Sequence, residues 1–416
     1  MSWTTLHLTV VTPLFSGDDP ARETGSPVRV PSIRGALRFW FRAVAAGHGV
    51  TDLKELFRQE EEVFGSTARR SRIALRVREQ PLAAGRGSRP DWATYSPGRR
   101  DRFCGAQYLL GQGLWSYRDG LTRDYVHPGR TFDLDVRFGD DETVNGRFML
   151  ALWAWLTYGG LGARTRRGFG QLACARVTAG RLPGRWREAD LTTTRTAGEW
   201  AALGERAVPT EIQAKSPLGD WRLLEGQPDE AEPLPEFPVL APRWWFGRML
   251  HGTPTSLDAA LDLAGREWRA FRAVVDPGGP IGDDTRSPEW RHVIHGDETE
   301  YPIAALGLPV GYYSAKRGRG PFKATVEPAL NGAPLRRASP VWLRPVFLGR
   351  DRTGRETWGV FTHAFWARLL PDGADLRMTG SRTRDLPAPD EATVERAVQD
   401  WCDDHDRLPR NFYPRP

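Results

Sequence analysis

Apolar and polar residues alternate from Thr4 to Val11, with Leu6, Leu8 and Val10 on one side, which predicts a strand buried on one face. After Pro31-Ser32 the period changes. Leu37, Trp40, Phe41 and Val44 fall on one side of a helix over Arg34–Ala46. A strand follows at Arg72–Arg78. Beyond a long insertion, Gln80 to Arg130, come a strand over Thr131–Phe138, a helix over Asn145–Tyr158 and a strand over Gln171–Val177. Asp133 and Asp135 alternate with Phe132 and Leu134, which puts both carboxylates on an exposed strand face. The order βαββαβ is the ferredoxin-like pattern used by RNA-recognition folds.

Later in the chain the pattern is weaker. The insertion is rich in Gly, Arg, Tyr and Trp, and a loop of that length is usually functional or disordered. Thr178 to Pro238 is rich in Pro, Gly and Glu and reads as a linker with some local structure. A helix is expected over Ser256–Phe271, strands over Val341–Leu348 and Gly359–Trp366, and a last helix over Asp390–Trp401.

At 416 residues the chain is long for one core and fits two domains, an N-terminal one at 1–180 and a second region at 181–416. A hydrophobic content of 40% with 17 tryptophans is ample for folded cores. The net charge of +6 is unevenly spread. The first 180 residues hold 25 Arg and 1 Lys against 18 acidic residues, leaving the rest slightly negative, so a basic partner-facing surface belongs to the first half. Cys104, Cys174 and Cys402 share no metal or disulfide spacing, as expected of a reducing compartment. No apolar run nears the roughly 18 residues a bilayer requires, so the expectation is a soluble, cytoplasmic protein without membrane contact.

Two segments carry candidate chemistry. In Gly159-Gly160-Leu161-Gly162-Ala163-Arg164-Thr165-Arg166-Arg167-Gly168-Phe169-Gly170, glycines surround three arginines between a helix and a strand. Glycine lets a backbone approach a ligand with its N–H groups free, and the arginine fork suits phosphate oxygens. The segment is equally consistent with a solvated turn bearing surface arginines. No lysine is present for a Walker loop, and a dinucleotide fingerprint would open a helix rather than a strand. An extended polyanion remains, with Gly160, Gly162, Arg164, Arg166, Arg167, Gly168 and Gly170 as its candidate ligands. The second segment is the first helix. Ser32 is placed to cap it, and Arg34, Arg38 and Arg42 share one face, either as a second phosphate-binding element or as a solvated face.

Thr12-Pro13-Leu14-Phe15-Ser16-Gly17, Pro31-Ser32-Ile33-Arg34-Gly35-Ala36-Leu37-Arg38-Phe39-Trp40, Val63-Phe64-Gly65-Ser66 and the glycine–arginine loop together resemble the RAMP superfamily. Within it they are most similar to the first Cmr subunit of type III-B CRISPR effector complexes. Asp18-Asp19 departs from the small residues expected after the Gly17 turn. The resemblance implies an α+β protein of two ferredoxin-like RAMP domains with insertions, the second degenerate. It implies an RNA-binding subunit that contacts guide RNA near its 3′ end and target RNA, beside other Cmr-type effector subunits, with cleavage left to its neighbours.

No cofactor is implied, and the sequence carries only fragments of a catalytic or metal centre. Gly282-Asp283-Asp284 is flanked by prolines as a turn would be, and His292 with His295 lacks a third ligand. His48 follows the first helix. It suits interaction with the terminal carbonyls, or alternatively a general base in a metal-independent endoribonuclease maturing guide RNA. Lys316-Arg317-Gly318-Arg319-Gly320 is a basic stretch that could follow a backbone or be a free loop. A general RNA-binding scaffold is the third possibility.

Overall fold

The computed structural model describes residues 2–16, 28–78, 104–116, 119–192, 195–226, 232–273, 293, 301–317 and 320–403. The first half contains β1 (Thr4–Val10), α1 (Val30–Gly47), α2 (Leu53–Phe64), β2 (Ala74–Arg78), α3 (Gly105–Leu110), β3 (Trp115–Ser116), β4 (Gly120–Leu121), β5 (Thr131–Arg137), α4 (Glu142–Tyr158) and β6 (Leu172–Thr178). Four of its strands form an antiparallel sheet in the order β2-β5-β1-β6. With α1 and α4 as crossovers, that is the ferredoxin-like order the βαββαβ pattern predicts. Leu6, Leu8 and Val10 of β1 and Phe132, Leu134 and Val136 of β5 are fully buried beneath the helices.

The helix α4 is buried on nearly every side, which removes any amphipathic period from its sequence. Asp141 caps it by accepting from the N–H groups of Thr143 and Val144. The helix α2 lies outside the expected pattern. Asp52 caps it, and Leu56, Val63 and Phe64 turn inward.

After β6 come α5 (Glu188–Leu191), α6 (Ala197–Arg206) and α7 (Thr210–Gln213). The described residues of 178–238 are thus packed, beyond the local structure expected of a linker, because Trp186, Trp200 and Trp221 all bury their rings in the first core. The second half continues with β7 (Trp245–Met249), α8 (Leu257–Ala273), β8 (Val310–Arg317), β9 (Gly320–Leu330), β10 (Ala333–Pro334), β11 (Val341–Arg350), β12 (Glu356–Phe365), β13 (Ala374–Gly380), β14 (Arg384–Leu386) and α9 (Glu391–Cys402). The order β11-β12-β7, with α8 and α9 as connections, reproduces three of the four ferredoxin-like strands. A fourth is missing among the described residues, which is the degeneracy. The strands β8, β9, β10, β13 and β14 form a separate five-stranded sheet, built from two excursions between α8 and β11 and between β12 and α9.

The two halves share their interior. On α1, Phe39 and Trp40 stack near Trp342 and Phe365, while Tyr158 of α4 meets Trp245 and Phe361. On the other side, α3 crosses α8 at paired glycines. A Cβ on Gly105 would sit 2.0 Å from the carbonyl oxygen of Asp262, and one on Gly265 would sit 2.0 Å from that of Gly105. Part of the insertion is therefore a structural strap on the second half. Of the sequence expectations, Asp18-Asp19, Gln80–Phe103, Gly282-Asp283-Asp284, His292 and His295 lie outside the described residues.

Candidate nucleic-acid interface

The helix α1 begins four residues earlier than its apolar pattern indicates. Its N-cap is Arg29, and Pro31 fills the first turn, where a missing N–H costs nothing. Ser32 is consequently inside the helix and is not the cap; its N–H donates to the Arg29 carbonyl. The expected basic face is also modified. Arg38 donates to the carboxylate of Glu60 at 2.6 Å and to the Gly65 carbonyl, and Arg42 holds the same carboxylate through two nitrogens. Glu60 is 1% exposed, so one buried carboxylate is held by two partly exposed arginines. That hydrogen bond raises the Arg42 pKa further. Arg34 is half-buried, and its Nε has no hydrogen-bond partner.

In the loop after α4, glycine is required by close approach. At Gly162 (φ 86°) a Cβ would lie 2.3 Å from the Phe15 carbonyl oxygen, and at Gly170 (φ 69°) 1.9 Å from that of Leu161. The loop closes through bonds from Leu161 N to Gly170 O, Ala163 N to Phe15 O and Gly170 N to Pro13 O. The Thr12–Ser16 segment and the loop are thus one unit. The N–H groups of Gly162, Arg164, Thr165 and Arg166 have no acceptor among the described residues.

The three arginines of the loop have different fates. Arg164, itself in the left-handed region at φ 63°, is exposed and extends its guanidinium over the turn at Gly111 and Gly113. Arg166 turns inward. It donates to the Ser339 carbonyl and lies 4.9 Å over the Trp342 ring and 5.2 Å over that of Phe39. Arg167 lies 4.5 Å over Trp268. Burial drives both guanidinium pKa values down to about 9. The Leu343 N–H donates to the Arg166 carbonyl, and Arg344 donates to the carbonyls of Gly159 and Leu156 at the end of α4. These anchors lie about 180 residues downstream, without any local signal to reveal them.

Because Phe39 touches Arg166, the loop borders the exposed stripe of α1 formed by Pro31, Gly35 and Arg42. A Cβ on Gly35 would meet nothing within 4 Å, so helix backbone is open to a ligand there.

His48 ends α1 and is buried. Its Nδ1 bonds the Val44 carbonyl at 2.7 Å, its Nε2 has no partner, and burial lowers its pKa. The ring serves the helix terminus. The two aspartates of β5 correct the alternation reading. Asp133 and Asp135 are 4% and 0% exposed, because Arg76 and Arg78 of β2 fold over Asp135 and His7 binds Asp133 at 2.6 Å. Lys316 and Arg317 end β8 and Gly320 opens β9, with Arg317 paired to Gly320, while Gly318 and Arg319 lie outside the described residues.

The sequence model of the RAMP superfamily matches residues 7–173, the segment that holds both elements. Among characterised proteins, the chain is 34% identical over 152 residues to CRISPR system Cmr subunit Cmr1-1 of Pyrococcus furiosus, covering 36% of this chain and 42% of that one. The chain thus spans less than half of that relative's length. It is 30% identical over 179 residues to Cmr subunit Cmr1-2 of the same organism, covering 40% of this chain and 91% of that protein. The crystal structure of Cmr1 from Pyrococcus furiosus in its apo form superposes with a TM-score of 0.50 at 19% identity, over 96% of this chain and 97% of that one, and so shares its fold. With the ferredoxin-like sheet, the glycine–arginine loop and a match that covers 91% of Cmr1-2, the chain belongs to the Cmr1 family of the RAMP superfamily of CRISPR proteins.

Proposed function

We propose that this chain is a non-catalytic RNA-binding subunit of a type III-B CRISPR ribonucleoprotein, contacting guide RNA near its 3′ end and target RNA beside other Cmr-type subunits. The observation that carries the reading is the shared border between the glycine–arginine loop and the exposed stripe of α1, made by Arg166 over Phe39. Beside that border lie the partnerless N–H groups of the loop and the open backbone at Gly35, and the Arg164 side chain extends from the same loop toward Gly111 and Gly113. Such groups suit phosphate oxygens of a single strand and carry no base information. In this reading Arg166 and Arg167 chiefly shape the loop, while Arg34, Arg42 and Arg164 supply charge.

The competing reading is a metal-independent ribonuclease with His48 as base. It is disfavoured by the buried His48 ring, whose Nδ1 is engaged by Val44. Incubating the purified chain with single-stranded RNA in EDTA separates the two. Retained, uncut RNA with little base preference and a steep salt dependence supports the proposal. Cutting that disappears in His48→Ala would replace it.

A further inference from the structure

At the far end of β6 from the glycine loop, the chain makes a groove that the interface above does not use. Its cavity is about 700 Å³, between the segment that follows β6 and the turn after α7. The wall is shaped by Gly184 (φ 61°), where a Cβ would lie 2.5 Å from the Lys215 carbonyl oxygen, and by a bond from Arg185 N to that same oxygen at 2.7 Å. Trp186 is buried under this wall and donates its Nε1 to Ser216. The floor is therefore fixed, and the charged side chains stand at the rim.

Those charges are unevenly matched. Arg181, Arg185 and Arg187 are exposed, and their guanidinium groups have neither hydrogen bond nor ion pair among the described residues. Lys215 is paired with Asp190 at 3.0 Å. Of the other carboxylates, Glu188 accepts from Val177 N at 2.7 Å, and only Glu211 lines the groove without a partner. Three guanidinium groups without an ion pair around one cavity outnumber the two carboxylates, Glu188 and Glu211, that no cation neutralises, and make a site for oxyanions. The buried Trp186 ring leaves no exposed aromatic face in the lining on which a base could stack, so the contact is to backbone only.

We propose that this groove is a second phosphate-binding subsite, which takes the backbone of a single RNA strand that also occupies the glycine loop. The inference rests on the RNA-binding reading above. The two ends of β6 are roughly 20 Å apart at the rise of a strand, and exposed Arg176 lies between them on β6. A strand following the sheet edge would meet the loop, then Arg176, then the groove.

The test uses the full chain and two homopolymeric RNAs, of about 5 and about 20 nucleotides, so that the shorter one fills a single site and the longer one spans both. In the variant R181A/R185A/R187A the affinity for the long RNA should fall about tenfold or more. Its log–log salt slope should flatten by about 2, near 0.7 for each lost phosphate contact. Short-RNA binding at the loop should persist. Glu211→Gln should act in the opposite direction and tighten the long RNA. All four side chains are at the surface, so a near-normal melting curve is expected; R181K/R185K/R187K, which keeps the charge, should recover part of the lost affinity.

Wild-type binding of the long RNA with an unchanged slope in the triple variant overturns the groove and leaves the loop reading intact. Displacement of the long RNA by polyglutamate as effectively as by unlabelled RNA of equal charge overturns the nucleic-acid assignment. Should wild-type chain bind neither RNA, the loop reading fails instead, and the groove is decided by tripolyphosphate titration. Binding that the triple variant loses retains the phosphate chemistry with a small phosphorylated ligand as its source, and absence of binding ends the proposal.

Discussion

Arg344 on β11 donates from Nη1 to the carbonyl of Gly159 at 2.7 Å, and from Nη2 to the neighbouring carbonyl of Leu156 at 2.9 Å. An arginine of the second half thus caps the C-terminal end of α4, where the helix dipole favours a cation and carbonyls lack intrahelical partners. The glycine loop starts at that cap. Its geometry depends on a residue 185 positions away.

Arg344→Ala should therefore remove two charge-assisted hydrogen bonds and destabilise the fold by about 2–4 kcal/mol. Arg344→Lys should recover only part, since an ammonium cannot span both carbonyls as the fork does. Chemical denaturation measures the loss. An unchanged midpoint in Arg344→Ala would show the cap to be dispensable.

Reversing charge on α1 should unfold as well as weaken binding. Arg38→Glu with Arg42→Glu leaves the buried carboxylate of Glu60 among like charges, at a cost on the order of 2–4 kcal/mol, reduced by the partial exposure of Arg42. Replacing Arg38, Arg42 and Glu60 together by Gln removes the clash and should restore much of the melting temperature while RNA affinity stays low. If that triple variant binds RNA normally, the α1 arginines serve only to satisfy Glu60.

Two glycines separate shape from contact. Gly35→Ala should stabilise α1 by about 0.5–1 kcal/mol, because the helix has room for the methyl group, yet weaken RNA binding where backbone was open. Gly170→Ala should disrupt the loop, as its Cβ would overlap the Leu161 carbonyl. Equal RNA affinity in Gly35→Ala and wild type would remove α1 from the interface.

Acidification should destabilise the shared interior. His363 is 1% exposed, neither ring nitrogen has a hydrogen-bond partner, and burial holds its pKa well below the ordinary value. The unfolded chain protonates near pH 6.5 and the folded one does not, so this contribution is complete above about 6.5 and is lost as pH falls below it. His48, lowered for the same reason, acts in the same direction. Denaturation midpoints should rise with pH from about 5 and level off above about 6.5, and His363→Phe, which keeps a flat ring against Trp342, should flatten that slope. A slope unaffected by the substitution would assign the effect to other groups.

What the sequence reveals depends on how local the cause is. The strand β1 and helix α1 are legible because one face of each is buried and the other is not. The family resemblance adds the degenerate second domain, which periodicity alone hardly supports. The helix α2 is hidden by its acidic run, Glu60-Glu61-Glu62, although Asp52 and the Leu56/Val63/Phe64 stripe mark it. Asp133 and Asp135 are misread because alternation indicates which way a strand residue points but not what covers it; the covering arginines belong to β2. Arg166 and Arg167 read as exposed for the same reason. Their partners Ser339, Trp342 and Trp268 are distant in sequence, so glycine neighbours suggest exposure where tertiary packing imposes burial.

The shared interior has a consequence for how such a protein can be divided. A polypeptide that stopped after β6 would present Phe39, Trp40 and Tyr158 to water, since Trp342, Phe365, Trp245 and Phe361 are what cover them. A half-length version needs a lid supplied in trans, from a separate gene product or a neighbouring protomer. Fission of the coding sequence is thus permitted only where that second surface arrives at the same time.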